Sequence, residues 1–232
     1  MAEQPTPVTT QPNTETPVVV ETVEPTTNYD ALIEKYKKLA LGILGGVVLI
    51  VGGYLYYQSY LEDQQKEAIE QMVRAVRFFE KDSVDKAMKG DSQYPGFEKL
   101  ADEYSGTPAG NLCKYYLGCC YLKKGNIDKG VDFLESFSKG DDLIGASAYA
   151  ALAFAHEEKK DFSQAAKYYQ KAASINENSH TSPFYLMNAA RNEELAGNTA
   201  GALKIYQTIK SKFPTSQEGQ SVEKYIAKFE DS

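Results

Sequence analysis

The sequence predicts an all-α protein: a single N-terminal transmembrane helix followed by a solenoid of helical hairpins. Two observations support this prediction, an uncharged apolar run early in the chain and helical patterns that recur at a nearly constant spacing after residue 110. The chain has 232 residues, a net charge of −7 and only two histidines. The acidic balance argues against phosphate-driven binding of nucleic acids, and two histidines leave little room for a histidine-based metal site or catalytic triad.

The first 28 residues are predicted to be a disordered cytoplasmic tail. This segment holds five of the nine prolines and eight threonines. A segment of this composition cannot bury enough apolar surface to offset the chain entropy that folding would remove.

The apolar run Leu39–Tyr57 contains 19 residues without a charge or a proline. As a helix it would be about 28 Å long at roughly 1.5 Å per residue, close to the ~30 Å hydrocarbon core of a bilayer. Its far end carries tyrosines where a signal peptide would offer small residues for cleavage. The sequence therefore predicts an uncleaved signal-anchor helix over residues 29–60, with its core at 39–57.

The charges on either side of the run predict its orientation. Lys35, Lys37 and Lys38 precede it, whereas Glu62 and Asp63 follow it. Positive charge stays on the cytoplasmic side of a membrane. We therefore expect the N-terminus in the cytoplasm and the domain after the helix on the other side.

Three glycines, Gly42, Gly46 and Gly53, fall on nearly the same face of this helix. Small residues at such positions let another membrane helix approach closely, so the face is a candidate docking site for a partner's helix or for a second copy of this chain. The alternative is that glycine is simply frequent in membrane helices.

Residues 61–110 predict a membrane-proximal helix and an irregular first repeat. Apolar residues recur mostly at three- and four-residue steps from Leu61 to Phe79, which is typical of an amphipathic helix continuous with the anchor. Residues 82–95 are polar and contain glycine, so they predict a loop. Phe97–Tyr104 predicts a short helix that ends before Gly106 and Pro108.

Three repeats are predicted over residues 111–216. Gly125, Lys160 and Gly197 each follow one helical pattern and precede another, and their spacings of 35 and 37 residues are close to the ~34 of a tetratricopeptide repeat. Two packed helices meet where Gly or Ala lets their backbones approach. The residues expected at this contact are Gly130, Ala165 and Ala202. After the repeats, residues 217–232 predict a C-terminal capping helix that covers the last hairpin with Val222, Tyr225 and Ile226.

From about residue 28 onward the chain resembles a bacterial family, the ancillary subunit of the SecYEG translocon (YfgM family), and similar membrane-anchored tetratricopeptide proteins of Bacteroidota. The motifs that carry the resemblance are KYKKLALGILGGVVLIVGGYLYYQSYLED and GFEKLADEYSGTPAGNLCKYYLGCCYLKKGNIDKGVDFL. The resemblance implies repeats in the periplasm, beside the translocon and a membrane-anchored chaperone. The long Thr/Pro tail and the 82–95 segment depart from the family.

The cysteines offer little chemistry. Cys113, Cys119 and Cys120 fall within one predicted helix, where two are neighbours about 100° apart and the third is nearly two turns away, which is poor geometry for a disulfide. Buried free thiols are the expectation, with a bridged pair as the alternative in an oxidising compartment.

The remaining polar residues also suggest no reaction. His156 occupies a position that the repeat usually fills with tyrosine, so packing is expected of it. The pairs Glu157–Glu158 and Glu193–Glu194 diverge on their helices and are expected to be solvated. With no catalytic, metal-binding or phosphate-binding motif in the sequence, we expect neither an enzyme, nor a cofactor, nor a metal site.

Stacked hairpins provide a concave surface lined by the first helix of each repeat, and apolar residues with a few charges would suit a peptide there. The alternative is that some of these residues pack on the terminal helix and close the groove. The residues predicted to line the groove, by analogy with the repeat family, are Leu112, Tyr115, Cys119, Leu122, Ala150, Phe154, Glu157, Phe184, Met187 and Arg191.

These observations predict a non-catalytic scaffold in a bacterial inner membrane, whose periplasmic repeats bind a chaperone or an emerging secreted chain near the Sec translocon. One alternative is an adaptor for outer-membrane or cell-envelope assembly. The other is an import-receptor-type protein with cytosolic repeats, which requires the reverse topology.

Overall fold

A computed structural model describes residues 29–139 and 143–230; the predicted tail at residues 1–28 lies outside this range. Nearly all of the described chain is helical, which confirms the predicted all-α class. The helices are α1 Tyr29–Glu80, α2 Val84–Lys89, α3 Phe97–Glu103, α4 Pro108–Lys123, α5 Ile127–Ser136, α6 Leu143–Glu158, α7 Phe162–Ile175, α8 Ser182–Leu195, α9 Thr199–Lys212, α10 Gln217–Ser221 and α11 Glu223–Glu230. The chain forms two compact units that divide within α1, after Gly53.

The part of the first unit that the structure describes is the N-terminal stretch of α1. It exposes its apolar side chains, with Leu49 78% and Ile50 72% exposed. This helix is long and apolar enough to cross a membrane. Around Gly42, Gly46 and Gly53 the space beside the backbone is open in the single chain, so the docking of another helix there stays a prediction.

The second unit begins with the C-terminal half of α1, which packs on the hairpins through small residues. Ala68 and Ala75 are buried in one cluster with Phe97 and Leu100 of α3. Two hydrogen bonds join this part of α1 to the residue after α3 and to the start of α4. The Gln71 amide donates to the Tyr104 hydroxyl at 3.0 Å, and Gln65 Oε1 accepts from the Ala109 N–H at 2.8 Å.

The prediction of a loop over residues 82–95 is wrong in part, because this segment contains helix α2. Ala87 and Met88 of α2 are buried in the same cluster as α3 and α4, and Val84 packs against it. Apolar residues at three- and four-residue spacing thus give α2 a buried side despite its charges. An isolated bridge between Gly90 and Pro95 then leads into α3.

From α4 onward the helices form three consecutive hairpins, α4–α5, α6–α7 and α8–α9, each closed by the same device. Gly125, Lys160 and Gly197 all adopt a positive φ, and the next residue caps the second helix of the hairpin. The side-chain oxygens of Asn126, Asp161 and Asn198 accept from the backbone N–H three residues on. The three positions that the spacing aligned are therefore structurally equivalent.

In the first hairpin, two glycines let the helices approach closely. A Cβ added at Gly118 would meet Leu134, and one added at Gly130 would meet Leu122. The equivalent positions in the later hairpins, Ala165 and Ala202, are fully buried. These contacts confirm the expectation that small residues let the backbones meet.

The chain after the third hairpin forms two short helices, α10 and α11, where one capping helix was predicted. Val222 between them and Ile226 of α11 are buried against α8 and α9. The Tyr225 ring stacks on Tyr206 of α9, with centroids 5.2 Å apart.

Candidate protein-binding surface

The structure divides the ten predicted groove residues by exposure. Leu122 and Met187 are buried, at 9% and 5% exposed, and offer little of their side chains to a ligand. Phe154, Phe184 and Arg191 are exposed. The half-buried members of the set are Leu112, Tyr115, Cys119, Ala150 and Glu157.

Tyr115 and Cys119 pack against the core that joins the first and second hairpins, where the Tyr115 ring lies 5.8 Å from that of Phe137. Burial raises the pKa of the Tyr115 hydroxyl. All three cysteines are free thiols, as expected, although only Cys113 and Cys120 are fully buried. Burial raises the pKa of Cys119 to about 11 and those of Cys113 and Cys120 to about 12, so each is held as the unreactive thiol at neutral pH.

Glu157 is a structural residue, and the expectation that it is solvated is wrong. Its carboxylate accepts from the Tyr169 hydroxyl at 3.1 Å and from the amide of Asn192, a buried residue of α8, at 2.6 Å. These bonds tie α6 to its partner helix α7 and to the next repeat. A half-buried carboxylate needs such donors, because an unpaired one would carry a desolvation penalty.

Glu194 repeats this arrangement one hairpin later and is not simply solvated either. It accepts from the Tyr206 hydroxyl and from Lys228 of α11, both at 2.6 Å. Burial alone would raise the pKa of Glu194, but the hydrogen bonds from Lys228 and Tyr206 bring that pKa below its ordinary value. The Tyr–Glu spacing of 12 residues is the same in both repeats, so the sequence held a signal for these pairs.

His156 packs, as its position predicted. Its ring stacks on Tyr168 with centroids 5.2 Å apart, and its Nδ1 lies 3.5 Å from the Asp161 carboxylate. Over the described residues, no group of three or more His, Cys, Asp or Glu side chains is placed to hold a metal ion.

Three predicted residues, Phe184, Met187 and Arg191, line one cleft of about 310 Å³ on α8. The opposite wall comes from the C-terminal helices, which were expected to cap the array or, as the alternative, to close the groove. Arg191 Nη2 lies 3.5 Å from the Tyr225 hydroxyl. The residues added by the C-terminal helices are Gln217, Glu218, Ser221 and Tyr225.

A second cleft of about 500 Å³ adjoins the first and shares Arg191 and Tyr225 with it. Its further lining includes Leu195, which is 62% exposed, and the cations Lys224 and Lys228. Lys224 Nζ lies 5.0 Å from the centroid of the Tyr225 ring. The hydrogen bond from Arg191 and the charge of Lys224 lower the pKa of Tyr225, although partial burial opposes them.

Comparisons with known proteins agree with this architecture. One tetratricopeptide-repeat family model matches residues 146–179, and another matches residues 113–139 and 185–216. A search of curated proteins gives no match.

Two solved structures are similar in fold. The crystal structure of nearly identical TPR-like repeats from a putative kinesin light chain of Podospora anserina matches with a TM-score of 0.53 at 15% identity. A second crystal structure of these repeats, with one residue substituted, matches with the same TM-score at 14% identity. Each alignment covers 71% of this chain and 85% of the other. The chain therefore carries three tetratricopeptide repeats between residues 113 and 216, in a domain with the tetratricopeptide fold.

Proposed function

We propose that this protein is a non-catalytic scaffold that is anchored in a membrane by α1 and binds protein partners through its repeats. The observation that carries the proposal is the exposure of large apolar rings on the first helices of the hairpins. Phe154 on α6 is 44% exposed and Phe184 on α8 is 53% exposed, although the surrounding side chains are well packed. Exposed aromatic side chains on a rigid scaffold are typical of protein-binding surfaces.

The anchor determines where such a scaffold acts. The location we propose is a bacterial inner membrane, with the N-terminus in the cytoplasm and the repeats in the periplasm. The lysines before the apolar run support this orientation through the bias of positive charge toward the cytoplasm. The aromatic residues Tyr54, Tyr56 and Tyr57 support a membrane boundary at the far end of the run.

The partner we propose is a chaperone or an emerging secreted chain close to the Sec translocon. The sequence resemblance to the ancillary translocon subunit supports this choice. The apolar character of the exposed rings also supports it, because unfolded segments and chaperones present apolar side chains.

Site-specific photocrosslinking in cells tests the proposal. A photoreactive residue at Phe154 or at Phe184 is expected to capture translocon subunits, a periplasmic chaperone or secreted chains. The same residue at Lys204, an exposed position on the second helix α9, is the matched control and is expected to capture fewer of them. Capture of only cytosolic proteins from both rings would contradict the proposal and its topology.

A further inference from the structure

We infer that the paired clefts between α8 and the C-terminal helices bind an acidic linear segment of a partner protein, with Arg191 and Lys224 contacting its carboxylates and Leu195 contacting an adjacent apolar side chain. This inference rests on the proposed function, since it specifies the chemistry of a partner that the repeats bind. It concerns a surface that the sequence assigned in part to the groove, through Phe184, Met187 and Arg191, and in part to the capping helix.

The first argument is charge. The larger cleft is lined by three cations, Arg191, Lys224 and Lys228, and by one carboxylate, Glu194. The whole chain carries a net charge of −7. A local excess of cations on an acidic chain favours a negatively charged ligand at that place.

The second argument is which charges are already engaged. Glu194 is held by Tyr206 and Lys228, and Glu223, at the start of α11, pairs with Lys210 of α9 at 2.6 Å. Lys228 is therefore partly neutralised within the fold. Arg191 and Lys224 converge on the Tyr225 ring and hydroxyl. The charge of Arg191 also helps to lower the pKa of Glu194, so Lys224 is the cation of this cleft that pairs least with the fold's own carboxylates.

The third argument is donor capacity. A guanidinium has five N–H donors, and Arg191 directs one nitrogen to the Tyr225 hydroxyl at the long distance of 3.5 Å. A carboxylate would form shorter, charge-assisted bonds with the same group. Glu218 lines the smaller cleft near Arg191, so the acidic end of the ligand belongs in the larger cleft, beside Lys224.

The fourth argument is the apolar part of the surface. Leu195 is exposed within the larger cleft, and Phe184 is exposed in the smaller one. The two clefts share Arg191 and Tyr225, so a single extended segment can contact a cation and an apolar side chain in turn. The fold supports this surface, because Val222, just before α11, and Ile226 of α11 are buried.

Binding of a labelled peptide to the full chain in detergent tests the inference. The probe is a ten-residue peptide of alternating Asp and Leu, and its neutral counterpart has Asn in place of Asp. Fluorescence anisotropy is expected to show at least tenfold tighter binding of the acidic peptide, with a dissociation constant that rises with salt. Equal binding of the two peptides would overturn the inference.

The variant R191Q/K224Q is expected to lose at least tenfold in affinity for the acidic peptide. K167Q/K204Q changes the same charge at exposed positions on α7 and α9 and is expected to bind like the wild type. An equal loss in both variants would mean that net charge alone attracts the peptide and would overturn the inference. Equally tight binding of a single-stranded oligonucleotide of the same charge, with the same loss in R191Q/K224Q, would also overturn it.

The outcome is separable from that of the proposed function. If photocrosslinks at Phe154 capture partners while the acidic peptide does not bind, the inference fails and the scaffold stands. If Phe154 and Phe184 capture no envelope partner, the scaffold proposal fails, whatever the peptide does. The salt dependence of the wild type keeps the test valid even if a variant folds poorly.

Discussion

At the scale of single residues, the polar contacts between the two helices of a hairpin matter more than their sequence suggests. Adjacent glutamates at helix ends suggest solvent-facing side chains. Yet Glu157 and Glu194 each accept a hydrogen bond from a tyrosine hydroxyl on the second helix of their hairpin. Sequence periodicity reports which face of a helix is apolar. It does not report that a carboxylate on that face will find donors in another helix, because those donors come from the tertiary structure.

Replacing Tyr206 with Phe removes the hydroxyl that donates a hydrogen bond to Glu194. The Tyr206 side chain is 0% exposed. We expect a loss of about 1.5–3 kcal/mol in the free energy of unfolding, the range for a hydrogen bond to a charged group. Urea denaturation measures it. The matched control is Y121F, whose hydroxyl bonds the exposed Glu98 at 3.3 Å and should matter little. Equal stabilities for Y206F and the wild type would show that the bond contributes nothing.

The pH dependence of the free energy of unfolding should also show that the ionised Glu194 carboxylate stabilises the fold. Because its pKa is lower in the folded chain than the ordinary value of 4.5, the ionised carboxylate stabilises the fold. This contribution is complete above about pH 4.5 and is lost as the pH falls through the lowered, folded pKa. The stability difference between the wild type and E194Q should therefore shrink from pH 7 toward pH 3. Thermal unfolding of both proteins between pH 7 and pH 3 measures this difference. A stability difference that does not change with pH would refute the stabilising role of the ionised Glu194.

At the scale of elements, most helices can be predicted from apolar periodicity and from the residues that end or cap them. Gly125, Lys160 and Gly197 could be aligned from the sequence because each separates two apolar periodicities and precedes a capping residue. Helix α2 could not be predicted in the same way. Its six residues include three charges, and it is stabilised by the burial of Ala87 and Met88 against α3 and α4, with Val84 packed beside them. Short helices depend on such tertiary contacts, since nucleation makes them marginal alone.

Met88 tests whether α2 is part of the core. The side chain is 3% exposed, so M88A should leave a cavity and lower the free energy of unfolding by about 2–5 kcal/mol. K89A, at the exposed neighbouring position, is the control and should change stability by less than about 0.5 kcal/mol. If the two variants are equally stable, the segment behaves as the loop that the sequence suggested.

Gly130 tests the close contact between α4 and α5 in the same way. A valine there would collide with Leu122 of α4 and separate the first hairpin, which should cost about 1–3 kcal/mol or more. K129V introduces the same side chain on the exposed side of α5 and should cost much less. Chemical denaturation of the two variants compares them directly, and a G130V protein as stable as K129V would refute the close approach.

At the scale of the whole molecule, the sequence predicted an apolar helix followed by repeats, and the structure agrees with both. It did not predict that α10 and α11 form one wall of the candidate site. Their contribution depends on how Tyr225 stacks on Tyr206, a contact between residues that no periodicity relates. Of the ten groove residues predicted by analogy, two are buried, because each lies against neighbouring helices in a way that repeat position alone does not specify.

The anchor makes a prediction at this scale. Introducing lysine at Leu49 and at Val48, both exposed within the apolar run, should abolish stable insertion, since each cation costs about 2.5–3.5 kcal/mol near the bilayer centre. Extraction of membranes with alkaline carbonate should release this variant and retain the wild type. Lysine at Tyr60, beyond the run on the same helix, is the control and should be retained. Release of the wild type under the same conditions would show that α1 does not span the membrane.

The difference between the first hairpin and the later two has a further consequence. Where the second and third hairpins pair Glu157 with Tyr169 and Glu194 with Tyr206, the first has Leu122 and Leu134 at the same places. If a helix of the first hairpin paired with one from a later hairpin, a buried hydroxyl or carboxylate would face a leucine and lack a hydrogen-bond partner. This would cost several kcal/mol. The buried pairs therefore make the correct pairing of helices more favourable than an incorrect one. This disfavours mispairing during folding and the exchange of helices between neighbouring copies.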